Sequence, residues 1–135
     1  MISHVFEKRV RYAETDKMGY LYYGHYAKYY EIGRAELIRE LGLTYRVLED
    51  EWRIMMPVVQ LQCRYKAPAY YDDLLRIKTI LPEMPTKMIR FEHEIRNESD
   101  EILNKGEVKL FFIDRDNGQR VSCPAYLKDA ILNYY

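Results

Sequence analysis

The chain of 135 residues has few of the residues that build metal sites and disulfides. Its two cysteines, Cys63 and Cys123, lie far apart and form no CxxC motif. Its three histidines are equally scattered, and no pair has the spacing of a zinc ligand set. We therefore interpret the cysteines as two buried thiols in a reducing compartment, in preference to a disulfide or a metal site.

Several common catalytic motifs are also missing. The serines are Ser3, Ser99 and Ser122, and none of them stands in a G-x-S-x-G nucleophile elbow. Neither phosphate-binding pattern, G-x-x-x-x-G-K-[ST] or G-x-G-x-x-G, occurs in the chain. These absences disfavour a serine hydrolase of the elbow type, a P-loop enzyme and a dinucleotide-binding fold.

Net charge and long apolar runs are lacking as well. The chain carries 21 basic and 21 acidic residues, so it has no basic excess with which to bind nucleic acid. Its zero net charge also means that like-charge repulsion does not oppose self-association. No run approaches the roughly 18 apolar residues of a membrane-spanning helix. The N-terminal MISHVFEKRV contains no apolar signal core. We expect a cytoplasmic protein with no membrane span and no nucleic acid partner.

Apolar residues make up 48% of the chain, enough for a core, and its length suits one domain over residues 1–135. Residues 4–13 alternate and predict a strand. From about residue 23 to residue 42 the period becomes helical, which predicts a helix of about 18 residues, roughly 27 Å long. Gly42 suits its C-cap, and Gly33 indicates close approach of a sheet. The apolar stripe comprises Tyr26, Tyr29, Tyr30, Ile32, Gly33, Leu37, Ile38 and Leu41, with Lys28, Arg34, Arg39 and Glu40 in other sectors.

The rest of the chain predicts a short helix, four strands and a terminal helix. Thr44 suits the cap of a helix over about 44–51, and Pro124 opens a helix that runs to about Tyr135. The predicted strands are 56–67, 73–81, 86–97 and 101–114. Because three strand connections are short enough for hairpins, the sheet should be mostly antiparallel. The fold class is therefore α+β, with a sheet wrapped around one long helix.

Asp16 is the main candidate for chemistry, because it lies in the loop that leads into the long helix. The first N–H groups of a helix have no internal partners, and they can polarise a carbonyl. A carboxylate facing the same pocket could attack that carbonyl or activate a water, which makes a minimal acyl-transfer site. The alternative is that Asp16 is a helix cap or an Asx turn with no chemistry.

The aromatic residues around Asp16 also have two interpretations. Tyr26 and Tyr30 are spaced as core or interface residues of the helix. His25 either faces solvent, caps the helix or takes part in catalysis, and His93 falls on an apolar strand face as a packed or interface histidine. Three more tyrosines either line an acyl pocket or pack across an oligomer interface: Tyr20, Tyr22 and Tyr23.

The segment RVRYAETDKMGYLYYGHYAKYYEIGRAELIRELG resembles the opening of hot-dog-fold thioesterases of the 4-hydroxybenzoyl-CoA thioesterase type, including the Tol-Pal-cluster branch. The later CRYKAPAYYDDLLRIKT is similar to the second and third strands of that family, and the resemblance covers roughly residues 5–114. The pattern Y-x-x-T-D-x-x-G followed by Y-x-x-x-x-E-x-x-R carries it, at Tyr12, Thr15, Asp16, Gly19, Tyr26, Glu31 and Arg34.

This resemblance implies a hot-dog fold, dimers that often pair into tetramers, and active sites at the dimer interface. It implies hydrolysis of an acyl-CoA to the acid and free CoA, with no metal or organic cofactor. The catalytic carboxylate of the family falls on Asp16, and the backbone N–H that holds the thioester carbonyl falls near Tyr23. Gly19, Tyr22 and Tyr26 are the expected substrate-binding positions. A basic segment that contacts the CoA phosphates is loosely matched by Lys87 and Arg90.

The chain departs from the family at two positions near the helix start. Tyr23 stands where the Tol-Pal branch commonly has histidine, and His25 stands where asparagine or serine is usual. These departures leave the sub-branch and the acyl preference open. The sequence also does not decide between a nucleophilic and a general-base role of Asp16, or between a dimer and a tetramer. The alternatives are an acyl-ACP thioesterase and a non-catalytic acyl-binding protein. The chain has near-zero net charge and no obvious docking patch for an acidic carrier protein, which favours CoA over ACP as the carrier of the acyl group.

Overall fold

The structure, a computed structural model, describes residues 1–134. Short 3₁₀ turns at Tyr12–Glu14 and Tyr23–His25 precede the first α-helix. The strands and α-helices follow in chain order: β1 (Ile2–Arg9), α1 (Tyr26–Glu40), α2 (Tyr45–Asp50), β2 (Ile54–Met55), β3 (Val58–Tyr65), β4 (Leu74–Leu81), β5 (Met88–Arg96), β6 (Ile102–Asp114), β7 (Arg120–Val121) and α3 (Ala125–Tyr134).

The strands form an antiparallel sheet in the order β1-β4-β5-β6-β3, with β2 and β7 added at the far end of β6. The short connections between β4, β5 and β6 join neighbours, as hairpin connections must. The prediction of an α+β fold with an antiparallel sheet around one long helix is confirmed. Within the described residues, β3 pairs with β6 on one side, so its other edge is open.

Helix α1 packs its apolar stripe against β1, β4 and β5. The predicted close approach at Gly33 is confirmed, because a Cβ there would overlap Thr79 Oγ1 and lie 3.1 Å from Ile77 Cγ2. Arg34, which lies in a sector of the helix outside the apolar stripe, is nevertheless only 5% exposed. Its guanidinium lies near the Tyr45 hydroxyl and the buried His93.

Element boundaries differ from the predictions in several places. Strand β1 ends at Arg9, and Tyr12 lies in a 3₁₀ turn and is 79% exposed. Pro57 has no backbone N–H, and the predicted strand 56–67 is shortened to β3 at Val58–Tyr65, with the separate strand β2 before the proline. The two-residue strand β7 carries too little pattern to be predicted. The predicted cap is confirmed, because Thr44 Oγ1 accepts from the Val47 N–H at 3.1 Å. The predicted end of the last helix at Tyr135 lies outside the described residues.

A row of inward-facing residues crosses the sheet beneath α1. Thr79, His93, Gly106 and Cys63 pair in register from β4 to β3. The imidazole of His93 is 2% exposed, stacks on the Tyr30 ring at 4.4 Å between centroids, and shares a 3.2 Å hydrogen bond with Thr79 Oγ1. Burial, with a smaller contribution from the nearby Arg34 guanidinium, places the pKa of His93 well below its ordinary value. The imidazole is therefore neutral in the fold.

We expect the buried His93 to make the protein less stable in acid. Because the folded state depresses the pKa, the unfolded chain binds the extra proton first as the pH falls below about 6.5. The free energy of unfolding should then fall with a slope that approaches about 1.4 kcal/mol per pH unit from this one group. Urea unfolding between pH 7.5 and 5 measures the slope. His93→Gln should flatten the dependence of the unfolding free energy on pH, and His25→Gln should not. Equal slopes in the wild type and both variants would contradict the assignment of this pH dependence to His93.

Candidate active site

Asp16 sits at the head of a tight turn, and its carboxylate organises that turn. The Oδ1 atom accepts the backbone N–H of Met18 at 2.9 Å and that of Tyr20 at 3.2 Å. The Asp16 N–H donates to Tyr20 O at 2.8 Å, and Gly19, at φ +84°, donates its N–H to Asp16 O at 3.0 Å. That φ favours glycine over any other residue. Asp16 thus forms an Asx turn with one carboxylate oxygen, and it does not cap the helix.

A buried carboxylate, Glu14, holds this turn against the central helix. Its Oε1 accepts hydrogen bonds from the Arg11 N–H at 2.9 Å, the Lys8 ammonium at 3.1 Å and the Tyr29 hydroxyl at 2.9 Å. Burial alone would raise the pKa of Glu14, but these three donors together hold that pKa below its ordinary value. The charged carboxylate therefore joins β1, the turn and α1, two residues before Asp16.

The chain enters α1 through the 3₁₀ turn at Tyr23–His25. The Tyr22 N–H donates to Glu14 O at 2.9 Å, which ties the entry to the Asp16 loop, and the His25 N–H donates to Tyr22 O at 3.0 Å. Between them, Tyr23 and Gly24 carry the first N–H groups of the helical segment, which have no partner within it. A helix start of this kind carries partial positive charge and suits a carbonyl oxygen or an anion.

Asp16 and Tyr23 line the same pocket, which has a volume of about 310 Å³. Tyr26, only 3% exposed, forms part of its wall, and burial raises the pKa of its hydroxyl to about 12. The end of β3 and the loop after it close the other side, where Lys66 adds a cation. Apart from Asp16 and Lys66 the lining is apolar or aromatic: Met18, Tyr20, Leu21, Tyr23, Tyr26, Tyr65, Ala67 and Pro68.

The structure brings together only some of the predicted site residues. Asp16, Tyr23 and Tyr26 share the pocket, and Gly19 shapes the turn behind it. Tyr22 lies outside the lining and packs its ring on Tyr23, with centroids 4.7 Å apart. His25 also lies outside; it occupies the N-cap position of α1, makes no side-chain capping bond, and packs edge-on against Tyr22 at 5.7 Å.

Lys87 and Arg90 lie at the other end of the sheet from this pocket. Arg90 is bound by Glu83, Glu92 and Glu107 at 2.7 to 3.0 Å, and these contacts, led by Glu83, raise its pKa. Its charge is therefore already neutralised within the chain. Lys87 lines a separate concavity of about 440 Å³ together with Arg120, Val121 and Ser122.

The residues that sequence reasoning missed come mainly from β3 and the loop that follows. The Tyr65 hydroxyl donates to Tyr23 O at 3.2 Å, and its ring packs edge-on against Tyr26 at 5.2 Å. Leu21 is tied to the same loop, because its N–H donates to Ala69 O at 2.7 Å. The exposed tyrosine at the end of a strand was the available signal, but nothing local to Tyr65 specifies that it meets the helix start.

Comparison with known proteins identifies the family of this fold and site. A sequence profile described as the Thioesterase-like superfamily matches residues 10–131. The chain belongs to the thioesterase-like superfamily. It is 33% identical to the acyl-CoA thioester hydrolase YbgC of Escherichia coli O6:H1 over 106 residues, 78% of either protein. It is 31% identical to the acyl-CoA thioesterase YbgC of Haemophilus influenzae over 125 residues, 93% of this chain and 91% of the relative.

A solved structure agrees with this placement in the superfamily. The DHNA-CoA thioesterase from Staphylococcus aureus superposes with a TM-score of 0.90 at 33% identity, covering 99% of this chain and 89% of that one. The predicted membership of the hot-dog thioesterases is confirmed, as is the class of thioester hydrolases at the level of the family. No helix within residues 1–134 combines the length and apolar character needed to cross a membrane.

Proposed function

We propose that this protein is an acyl-CoA thioesterase that hydrolyses its substrate to a free acid and CoA. One observation carries the proposal: Asp16 and the first residue of the helical segment, Tyr23, line one aromatic pocket. Relatives that match over most of their length are named acyl-CoA thioester hydrolase and acyl-CoA thioesterase, and a structural neighbour is named DHNA-CoA thioesterase. A pocket of about 310 Å³ accommodates either an aryl ring or a short to medium aliphatic chain.

In this mechanism the two oxygens of Asp16 have different tasks. Oδ1 is held by the N–H groups of Met18 and Tyr20, which fixes the plane of the carboxylate. Oδ2 then either attacks the thioester carbon, expelling the CoA thiolate and leaving a mixed anhydride that water cleaves, or removes a proton from the attacking water. In both versions the products are the acid and the CoA thiol. The N–H of Tyr23 receives the carbonyl oxygen as it gains negative charge.

A second copy of the chain is part of the proposal. Strand β3 is an open edge, and four of its apolar side chains are 41% to 51% exposed: Val58, Val59, Leu61 and Tyr65. An open, apolar edge is a natural strand-pairing surface. Tyr65 pairs with Asn104, whereas Met88, next to Lys87, pairs with Phe111 seven residues further along β6, roughly 24 Å away. Antiparallel pairing of two β3 strands would bring the Lys87 end of one copy towards the Asp16 pocket of the other.

Lys87→Glu tests this arrangement. If Lys87 contacts a CoA phosphate, charge reversal should raise KM for acyl-CoA about tenfold and change kcat less than twofold, because the phosphate lies far from the reacting carbonyl. Steady-state kinetics at low ionic strength measure both constants. Lys78→Glu reverses an exposed charge on β4 and is the matched control. An unchanged KM in Lys87→Glu would remove Lys87 from the site.

Two other functions are kept as alternatives. An acyl-ACP thioesterase would use the same carboxylate and helix start, and it differs in the carrier that delivers the acyl group. A non-catalytic hot-dog protein would bind an acyl ligand in the same pocket without cleaving it. A hydratase of this fold is disfavoured, because the central helix carries no Asp/His pair in one short motif. Fold alone does not decide among these, so the decision rests on the site.

The direct experiment is thiol release, followed with a colour reagent, from a panel of CoA thioesters with short, long, branched and aryl acyl groups. The matching acyl-ACP thioesters are run in parallel at equal concentration. We expect higher kcat/KM with CoA than with ACP for at least one acyl group. Preference for ACP would support the first alternative. Binding of acyl-CoA without thiol release would support the second.

A further inference from the structure

The carbonyl of Tyr23 accepts two hydrogen bonds. The N–H of Tyr26 donates to it from within the helical segment, and the Tyr65 hydroxyl donates to it from the end of β3 at 3.2 Å. A carbonyl oxygen has two lone pairs, so both acceptor positions of Tyr23 are used. The plane of the Tyr23–Gly24 peptide is therefore fixed from two sides, by the helix and by the sheet.

The other end of that peptide is the N–H of Gly24. It is one of the two leading N–H groups of the helical segment, because the next one, from His25, already donates to Tyr22 O at 3.0 Å. Gly24 lies outside the pocket lining, so Tyr23 is the residue of this peptide that can reach the substrate. A side chain at position 24 would crowd this corner, since a Cβ would lie 2.7 Å from the Tyr22 ring.

We infer that Tyr65 is a positioning residue: its hydroxyl, bound to the carbonyl of Tyr23, holds in place the residue whose N–H is the proposed oxyanion donor. The inference rests on the proposed thioesterase function. Removing the Tyr65 hydroxyl leaves the pocket wall intact, because a phenyl ring keeps the edge-on contacts with Tyr23 at 6.4 Å and Tyr26 at 5.2 Å. The effect of the hydroxyl should therefore appear in the transition state and not in substrate binding.

Tyr65 also has to stay protonated if it is to act as a fixed donor. Partial burial, together with neighbouring Cys63, raises the pKa of its hydroxyl above the ordinary tyrosine value. It thus donates throughout the range in which thioesterase activity is measured. The effect of removing the hydroxyl should be the same at pH 6 and pH 9, unlike that of a group exchanging protons with substrate.

The kinetic experiment compares Tyr65→Phe with Tyr71→Phe, which removes a hydroxyl from a tyrosine that is 56% exposed and lies outside the pocket lining. For Tyr65→Phe we expect kcat to fall about five- to tenfold, as the loss of one neutral hydrogen bond predicts, with KM within twofold. Tyr71→Phe should match the wild type. Equal kcat in all three proteins would overturn the inference, and so would a loss confined to KM.

A spectroscopic readout separates positioning from a general loss of structure. In the Asp16→Asn background, a thioester labelled with ¹³C at its carbonyl is bound, and its stretching frequency is read by isotope-edited infrared difference. The frequency should rise towards the solution value when Tyr65→Phe is added, because the oxyanion donor polarises the carbonyl less. An unchanged frequency overturns the inference alone. Absence of thioester turnover by the wild-type protein, with any carrier, overturns the proposed function and this inference with it.

Discussion

Asp16→Asn is expected to lower kcat for acyl-CoA hydrolysis about 100- to 10,000-fold, the range seen when a positioned acid–base group is lost. Asparagine keeps the shape of the side chain and an Oδ1 that still accepts the N–H groups of Met18 and Tyr20. The turn should therefore survive, and the variant loses only the negative charge and the second acceptor oxygen. Because substrate binding does not need that charge, KM should change less than about threefold.

The matched control for this prediction is Asp114→Asn. Asp114 Oδ1 accepts the N–H of Asp116, two residues along the chain, at 2.8 Å, just as Asp16 Oδ1 accepts the N–H of Met18. Asp114, however, lies at the end of β6 and outside the pocket lining. Thiol release, melting temperature and circular dichroism are measured for both variants. Activity lost in Asp16→Asn and kept in Asp114→Asn assigns chemistry to Asp16. Equal activity in both would mean that Asp16 is a turn residue only.

The structure shows why the turn and catalytic interpretations of Asp16 were hard to separate in the sequence. An Asx turn uses one oxygen of the side chain, and a carboxylate has two. Spacing to Met18 and Tyr20 is local and indicates the turn. What the second oxygen meets depends on β3 and its loop, which join the site from residues 65–68, some fifty positions along the chain. Short-range pattern therefore finds the residue but cannot distinguish its roles.

Other features of the fold also separate into those set by local sequence and those set by contacts between distant residues. The helical stripe, the Thr44 cap and the close approach at Gly33 each depend on periodicity or on one residue, and each was predicted. Burial of Glu14 and Arg34 was not predicted, because charged residues are covered only when distant partners meet them. For Glu14 those partners include Tyr29, fifteen residues away on α1. Such contacts exist only once helix and sheet are packed.

Gly106→Ala is expected to cost about 3 kcal/mol of stability and to lower the melting temperature by about 10 °C. A Cβ at Gly106 would overlap the ring and hydroxyl of Tyr30, which is fully buried. Tyr30 cannot retreat easily, because it stacks on His93 at an interplanar angle of 5° and its hydroxyl bonds Asn104. The added methyl must therefore displace the helix, the strand or this hydrogen bond, and each costs free energy.

A double-mutant cycle with Tyr30→Leu tests this cause of the instability. Tyr30→Leu alone should be destabilising, since Asn104 loses its hydroxyl partner, but it opens space above Gly106. Adding Gly106→Ala to that background should then cost less than about 1 kcal/mol, a coupling of about 2 kcal/mol between the two sites. Lys105→Ala, on the exposed face of the same strand, should stay within about 0.5 kcal/mol of the wild type. Urea unfolding at one fixed protein concentration measures all four variants, because association would otherwise shift the midpoints. Strictly additive costs would mean that Tyr30 and Gly106 do not share the space beneath α1.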